Sequence, residues 1–172
     1  MFFGELRMST DSITIREVEA ADIPSVRRIF QQYAKSLPFD LGYQDFDAEL
    51  RKLPYPYAVP NGILVVAEDS TRKILVGTAA LKRLSDDIAE VKRVFVVDEA
   101  RGRGVGHALL AQLIRGAEKL CFSKLRLDTH RATMSSAISL YKALGFYEIP
   151  PYGPDLDGAL IFFERNLGSD QA

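Results

Sequence analysis

Residues 94–107 read Val-Phe-Val-Val-Asp-Glu-Ala-Arg-Gly-Arg-Gly-Val-Gly-His. An apolar run is followed by a short polar link and then by glycines at alternate positions, Gly102, Gly104 and Gly106. An amphipathic helical pattern starts at once, with Leu109, Leu110, Leu113, Ile114, Ala117 and Leu120 on one face. Glycine lets the backbone turn tightly and lie close to a ligand. The N–H groups at the head of the helix are unpaired and carry partial positive charge. Strand, glycine turn and helix N-terminus together predict an anion site, most often for a phosphate or pyrophosphate.

The other elements fall into order around this unit. Residues 13–18 alternate apolar and polar, as a half-buried strand does. Asp22 and Pro24 then open a helix whose apolar stripe is Ile23, Val26, Phe30, Tyr33 and Leu37. Residues 39–61 are aromatic and broken by proline. They predict a loop with one short helix over 45–53, which equally reads as a cover over a binding site or as a surface connection whose aromatics plug into the core. Continuous or alternating apolar runs at 62–68, 74–84 and 88–97 are separated by short polar turns, which implies an antiparallel meander. Residues 124–129 alternate again. With the helix between them, 88–97 and 124–129 form a strand–helix–strand unit, so these two strands are expected to be parallel with a right-handed crossover. Thr133 opens a last helix with Met134, Ala137, Ile138, Tyr141 and Leu144 on its apolar face, closed by Gly145. Residues 146–149 and 159–165 close the chain as strands. The expected organisation is a loose extension over 1–12, one domain over 13–167 and a tail over 168–172.

Composition limits the function. The 22 basic and 23 acidic residues leave a net charge of -1, which argues against a nucleic-acid partner. No apolar run reaches the roughly 18 residues that span a membrane, and the first residues do not form a signal peptide, so a cytoplasmic location is expected. Two histidines and one cysteine do not predict a metal site, and Cys121 reads as a structural thiol. A dinucleotide turn requires G-x-G-x-x-G at the start of a parallel fold, whereas the spacing here is G-x-G-x-G after a meander. Asp128 ends the next strand, so a nucleotide-cofactor oxidoreductase stays open as a minor alternative. A Walker loop is excluded, because no Gly-Lys-Ser/Thr follows.

The turn and the later run Ala-Ile-Ser-Leu-Tyr-Lys-Ala-Leu-Gly-Phe at 137–146 together resemble the GCN5-related N-acetyltransferase (GNAT) superfamily. The resemblance follows element order from about residue 13 to 167 and is strongest over 88–147. It implies a mixed α/β fold with a mostly antiparallel sheet of about seven strands, four flanking helices and a splayed parallel strand pair. In that family the (Arg/Gln)-x-x-Gly-x-(Gly/Ala) loop wraps the pyrophosphate of acetyl-coenzyme A. Arg101, Gly104 and Gly106 match it here, with Gly102, Arg103, Val105 and His107 offering backbone N–H groups. The same resemblance implies that backbone at Val94, Phe95 and Val96 pairs with the pantetheine arm, with an oxyanion held by an N–H near Val96. Tyr141 matches the family tyrosine that protonates the leaving thiolate. Without the resemblance, a core aromatic on a helical stripe is the favoured reading of Tyr141. Many members carry asparagine seven residues earlier. This chain has Met134 there, and Ser135 or Ser136 is the candidate substitute.

A base must take a proton from the acceptor amine. Glu90, on the strand that leads into the turn, is the first candidate, and alternation places it on one face with Lys92, Val94 and Val96. A solvent-facing glutamate paired with lysine explains it equally, and a bulge would shift the parity. His130 is the second candidate, and water can relay the proton. Lys92 and Arg93 could bind an acceptor carboxylate or simply pair with acids. Phe39, Tyr43, Phe46, Tyr57 and Tyr152 are candidates for the acceptor pocket. The expected function is acetyl transfer from acetyl-coenzyme A to the amine of a small molecule, amino acid or peptide, in a ternary complex with no covalent enzyme intermediate. The alternative is a non-catalytic acyl-coenzyme A sensor on the same fold. Homodimers are common in the family.

Overall fold

The computed structural model describes residues 6–7, 12–131, 135–155 and 157–168. The chain forms one mixed sheet of strands β1 (Leu6–Arg7), β2 (Ile13–Glu17), β3 (Gly62–Asp69), β4 (Ile74–Arg83), β5 (Ile88–Val96), β6 (Lys124–His130), β7 (Tyr147–Ile149) and β8 (Leu160–Asn166). Their order across the sheet is β1-β2-β3-β4-β5-β6-β8-β7. Only β5 and β6 are parallel. Helices α1 (Ile23–Ser36), α2 (Phe46–Lys52), α3 (Val105–Lys119) and α4 (Ser135–Ala143) flank it.

Seven of these strands are the expected ones. The eighth, β1, has two residues and lies inside the segment expected to be loose, pairing Leu6 with Ile15 and Arg7 with Thr14. Residues 1–5 and 8–11 of that segment, and 169–172 of the expected tail, lie outside the described residues. So do Thr133 and Met134.

The continuous apolar run of β3 follows from cover on both faces of the sheet. Ile63 and Val65 pack into a core with Leu109, Leu110 and Leu113 of α3 and with Tyr141 of α4. Leu64 and Val66, one residue out of phase, pack with Val26 and Phe30 of α1 and Phe46 of α2. Phe30 and Leu109 are fully buried, each contributing on the order of 2–3 kcal/mol by apolar burial. Asp22 occupies the N-cap position of α1 but makes no cap bond with its side chain. Its carboxylate instead accepts from the guanidinium of Arg16 on β2 at 2.7 Å and from the Glu19 N–H.

Two departures from regularity shape the centre of the sheet. First, β5 and β6 pair only over Ile88–Lys124, Ala89–Leu125 and Glu90–Arg126, and then diverge. Second, β5 carries a bulge. Thr78 of β4 pairs with Phe95 and Ala80 with Lys92, so the single residue Ala79 faces both Arg93 and Val94. Arg93 takes the left-handed conformation, φ 57°. The buried Thr78 hydroxyl donates to its carbonyl at 3.0 Å.

The bulge corrects one expectation. Val94 and Val96 pack against the α3-side core with Ala89 and Val91. Lys92 pairs with Glu90 at 3.3 Å, while Arg93 and Phe95 lie toward α1 and α2. Glu90 therefore shares its face with Lys92 but not with Val94 and Val96. The extra residue inverts the alternation beyond Lys92.

Candidate active site

The wedge between the diverging strands is a slot walled by Val91–Val94 of β5, Leu127–His130 of β6 and Tyr141 of α4. Tyr141 is buried, edge-on to Phe146 at 5.9 Å and tilted against Phe163 at 6.3 Å. Burial pushes its phenol well above the usual tyrosine range, so it stays protonated as a proton donor must. Phe39 stacks on His130 at 5.6 Å at the rim of the slot, which places the loop before α2 over it.

The glycine turn lies between β5 and α3. Residues 98–100 make a short 3₁₀ turn, and Gly102 (φ 73°) and Gly104 (φ 77°) take the left-handed conformation open to glycine. Gly104 is the N-cap of α3, and no side chain among the described residues caps that helix. A Cβ at Gly102 would meet nothing within 4 Å, whereas one at Gly106 would sit 3.3 Å from the tip of Leu140 and 4.0 Å from Val96. The turn therefore presents bare backbone N–H groups close to both α4 and β5, an arrangement that fits a pyrophosphate. Val105 is buried and anchors the helix, while His107 and Ser136 are exposed and Arg103 is half-buried. Arg101 is exposed; it pairs with Asp98 at 2.7 Å and lies over the Phe95 ring at 5.5 Å. Its Nε donates to the Val96 carbonyl at 3.0 Å.

On the α2 side of the wedge lies a second cavity of about 500 Å3, bounded by α2, the 55–57 segment, Glu90, Lys92 and Tyr152. Glu90, buried at 6% exposure, pairs with Lys92 at 3.3 Å and reaches Lys82 at 4.0 Å. It lines this cavity and not the slot. Tyr57 closes the cavity's floor, its hydroxyl donating to Glu49 at 2.7 Å. Phe46 packs in the α1 and α2 core, and the side chain of Tyr43 lies outside the description.

Arg93 is absorbed by structure: its guanidinium forms a buried two-point pair with Glu49. Among the described residues four line both cavities, namely Lys92, Arg93, Asp128 and Leu160. Asp128 carries the one carboxylate among them, and the sequence alone points to no catalytic role for it. Burial pushes its carboxyl above the usual range; Lys92 and Arg93 pull it back, and Glu90 adds to the rise. Alternation in β6 placed Asp128 on the face opposite Leu127, but nothing local in the sequence could show that two cavities meet there. The Tyr152 hydroxyl, also buried, has no hydrogen-bond partner among the described residues and stands near Glu90 and Asp128. No helix among the described residues is long and apolar enough to cross a membrane.

Comparison with known proteins bears on this arrangement. The model of the acetyltransferase (GNAT) family matches residues 24–146. An uncharacterized N-acetyltransferase of Schizosaccharomyces pombe is 33% identical over 146 residues, covering 84% of this chain and 89% of the relative. An uncharacterized N-acetyltransferase of Escherichia coli is 28% identical over 145 residues, with 83% and 86% covered. A GNAT-family acetyltransferase structure from Staphylococcus aureus superposes with a TM-score of 0.76 at 25% identity, covering 90% of this chain and 99% of that one. The PaiA N-acetyltransferase of Thermoplasma acidophilum, solved with coenzyme A, shares the fold at a TM-score of 0.69 and 22% identity, with 90% and 99% covered.

Proposed function

The chain belongs to the acetyltransferase (GNAT) family and is an acyltransferase, and from that premise we propose that it moves an acetyl group from acetyl-coenzyme A to the amine of a small molecule, amino acid or peptide by direct attack in a ternary complex. The observation that carries this reading is the early end of the β5–β6 pairing. It opens a slot with Tyr141 in its wall and a second cavity beyond, while the glycine turn approaches α4 and β5 at Gly106.

Acetyl-coenzyme A, when bound, supplies the thioester carbonyl that the amine attacks. The backbone N–H groups of 102–107 bind its pyrophosphate, and Ser136, exposed on the first turn of α4, is a further contact for it. Main-chain groups of Val94, Phe95 and Val96 hold the extended arm as a sheet edge holds a strand. Tyr141 gives its phenol proton to the leaving sulfur. Glu90, held by Lys82 and Lys92, lines the second cavity, which receives the acceptor. That cavity's size is in the range of small-molecule sites.

The test has two stages. Thermal shifts with acetyl-coenzyme A and with NAD come first, and stabilisation by acetyl-coenzyme A alone is expected. Free-thiol release over an amine library follows. The expected result is release that depends on one class of amine. Stabilisation by NAD alone overturns the proposal. Stabilisation by acetyl-coenzyme A with no amine-dependent release identifies a sensor instead.

A further inference from the structure

We propose that Asp128 is the general base of this transfer, taking a proton from the acceptor's ammonium where the slot meets the acceptor cavity; the assignment rests on the acetyl-transfer reading above. The amine and the thioester carbon have to come together at the junction of the two cavities. Of the four residues that line both, Leu160 is apolar, Lys92 is a cation and Arg93 is locked onto Glu49. Asp128 alone offers a proton acceptor. It stands two residues past Arg126, the last residue of β6 paired with β5, at the point where the strands have begun to part.

The contrast with Glu90 sharpens the assignment. Glu90 lines only the acceptor cavity, and its Oε1 carries both lysine contacts. Among the described residues no hydrogen bond or ion pair engages the Asp128 carboxylate, although it is largely shielded from water. A half-buried carboxylate with lone pairs uncommitted is disposed to accept a proton.

The charges facing Asp128 agree with this role. Glu90, Lys92 and Arg93 face it from β5, and Asp155 from the β7–β8 connection. The phenols of Tyr33, Tyr141 and Tyr152 stand around it from α1, α4 and the same connection. Burial and the two acids raise its pKa toward the working range of a base, while Lys92 and Arg93 limit the rise.

In the balanced step, Asp128 takes one proton from R–NH3+, and the freed amine forms the C–N bond to the thioester carbonyl carbon. As the C–S bond breaks, its electron pair goes to sulfur. Tyr141 gives sulfur its phenol proton and takes back the second proton of the attacking nitrogen. Asp128 then releases its proton to water.

The experiment is the pH profile of kcat/KM, with acetyl-coenzyme A and the amine found by the library screen, for the wild type, Asp128→Asn and Glu90→Gln. The wild type is expected to lose activity on acidification through one group whose pKa lies above the ordinary carboxylate range. Asp128→Asn is expected to lose about 100-fold at pH 7, the loss shrinking as pH approaches the acceptor's own pKa and free amine becomes abundant. Removing the Glu90 charge is expected to move the acid limb of the profile to lower pH. Thermal shift with acetyl-coenzyme A checks that Asp128→Asn is folded. If it is not, Asp128→Ser and the Glu90→Gln shift carry the test. The assignment is overturned if Asp128→Asn keeps the wild-type rate and limb, if its loss is equal at every pH, or if Glu90→Gln abolishes the limb. A wild-type protein that releases no thiol with any amine overturns the acetyl-transfer reading and the assignment with it. Amine-dependent release with an unaltered Asp128→Asn profile overturns the assignment alone.

Discussion

Arg93 Nη2 lies 2.6 Å from Glu49 Oε2, and Arg93 Nε lies 2.9 Å from Glu49 Oε1. This buried pair ties α2 to the bulge of β5, with the guanidinium over the rings of Phe46 at 5.3 Å and Tyr33 at 5.8 Å. Glu49→Ala would remove the carboxylate that neutralises a buried cation. The expected cost is about 3 kcal/mol of unfolding free energy, with Glu49→Gln costing less because it keeps an acceptor oxygen. Urea denaturation of the two variants beside the wild type checks both values.

Tyr141→Phe keeps the packing on Phe146 and Phe163 and removes only the proton donor. The expected result is a fall in kcat of about 100-fold with acetyl-coenzyme A affinity within about twofold. An unchanged kcat in the variant would end the acid assignment. The wild-type pH profile supplies a second check. Burial raises the phenol's pKa above its usual value of 10.0, and the acid works while protonated. Activity is lost only as pH rises through that raised value, so no alkaline fall from this group is expected between about pH 8 and 10.

Gly104→Ala places a side chain at φ 77° on the cap of α3. The left-handed conformation costs an L-residue about 1–2 kcal/mol. Part of that strain is expected to be relieved by turning the helix-head N–H groups away from their present aim. The expected outcome is a rise of roughly tenfold in the KM for acetyl-coenzyme A, a small loss of stability and little change in kcat. Steady-state kinetics at saturating amine separate these effects.

Glu164 gives a pH signature for the fold itself. Burial works to raise its pKa, but hydrogen bonds from Tyr147 at 2.6 Å, Arg126 at 2.8 Å and Lys124 at 3.1 Å outweigh it and hold it at about 2. The folded pKa is thus depressed from an ordinary 4.5. Its contribution is present in full above pH 4.5 and is lost as pH falls through about 2. Glu164→Gln is expected to flatten the stability curve across that window, as read from urea midpoints at pH 7, 4 and 3.

Much of this molecule was legible in the residues, for identifiable reasons. The stripe Leu109, Leu110, Leu113 and Ala117 is a periodicity that only a helix buries on one side, and α3 buries it completely. The glycine turn was visible because positive φ leaves a compositional mark at Gly102 and Gly104. The bulge left no such mark. Its extra residue is an arginine, held in place by a glutamate 44 positions earlier in the chain, and alternation counts residues without knowing where a strand slips. Alternation therefore puts Glu90 on one face with Val94 and Val96, which the structure separates, while its pairing with lysine is legible in the sequence. The sequence marks Asp128 only as the acid that ends a strand, for a related reason. Its role comes from the meeting of two cavities built by α1, α2, α4 and the 150–158 connection, a relation that no local pattern encodes. The short strand β1 was equally silent, since two residues cannot show a period.

Because β5 and β6 are joined by only three residue pairs, the eight-stranded sheet is mechanically two plates, β1 to β5 and β6 to β8, fastened along one short seam. Beyond Glu90 and Arg126 the two facing backbones no longer bond to each other, and they have to find water or a guest. A molecule seated in that gap would act as mortar between the plates as well as substrate. Its arrival should slow amide exchange along residues 91–96 and 127–130, and its departure after reaction would loosen the seam again.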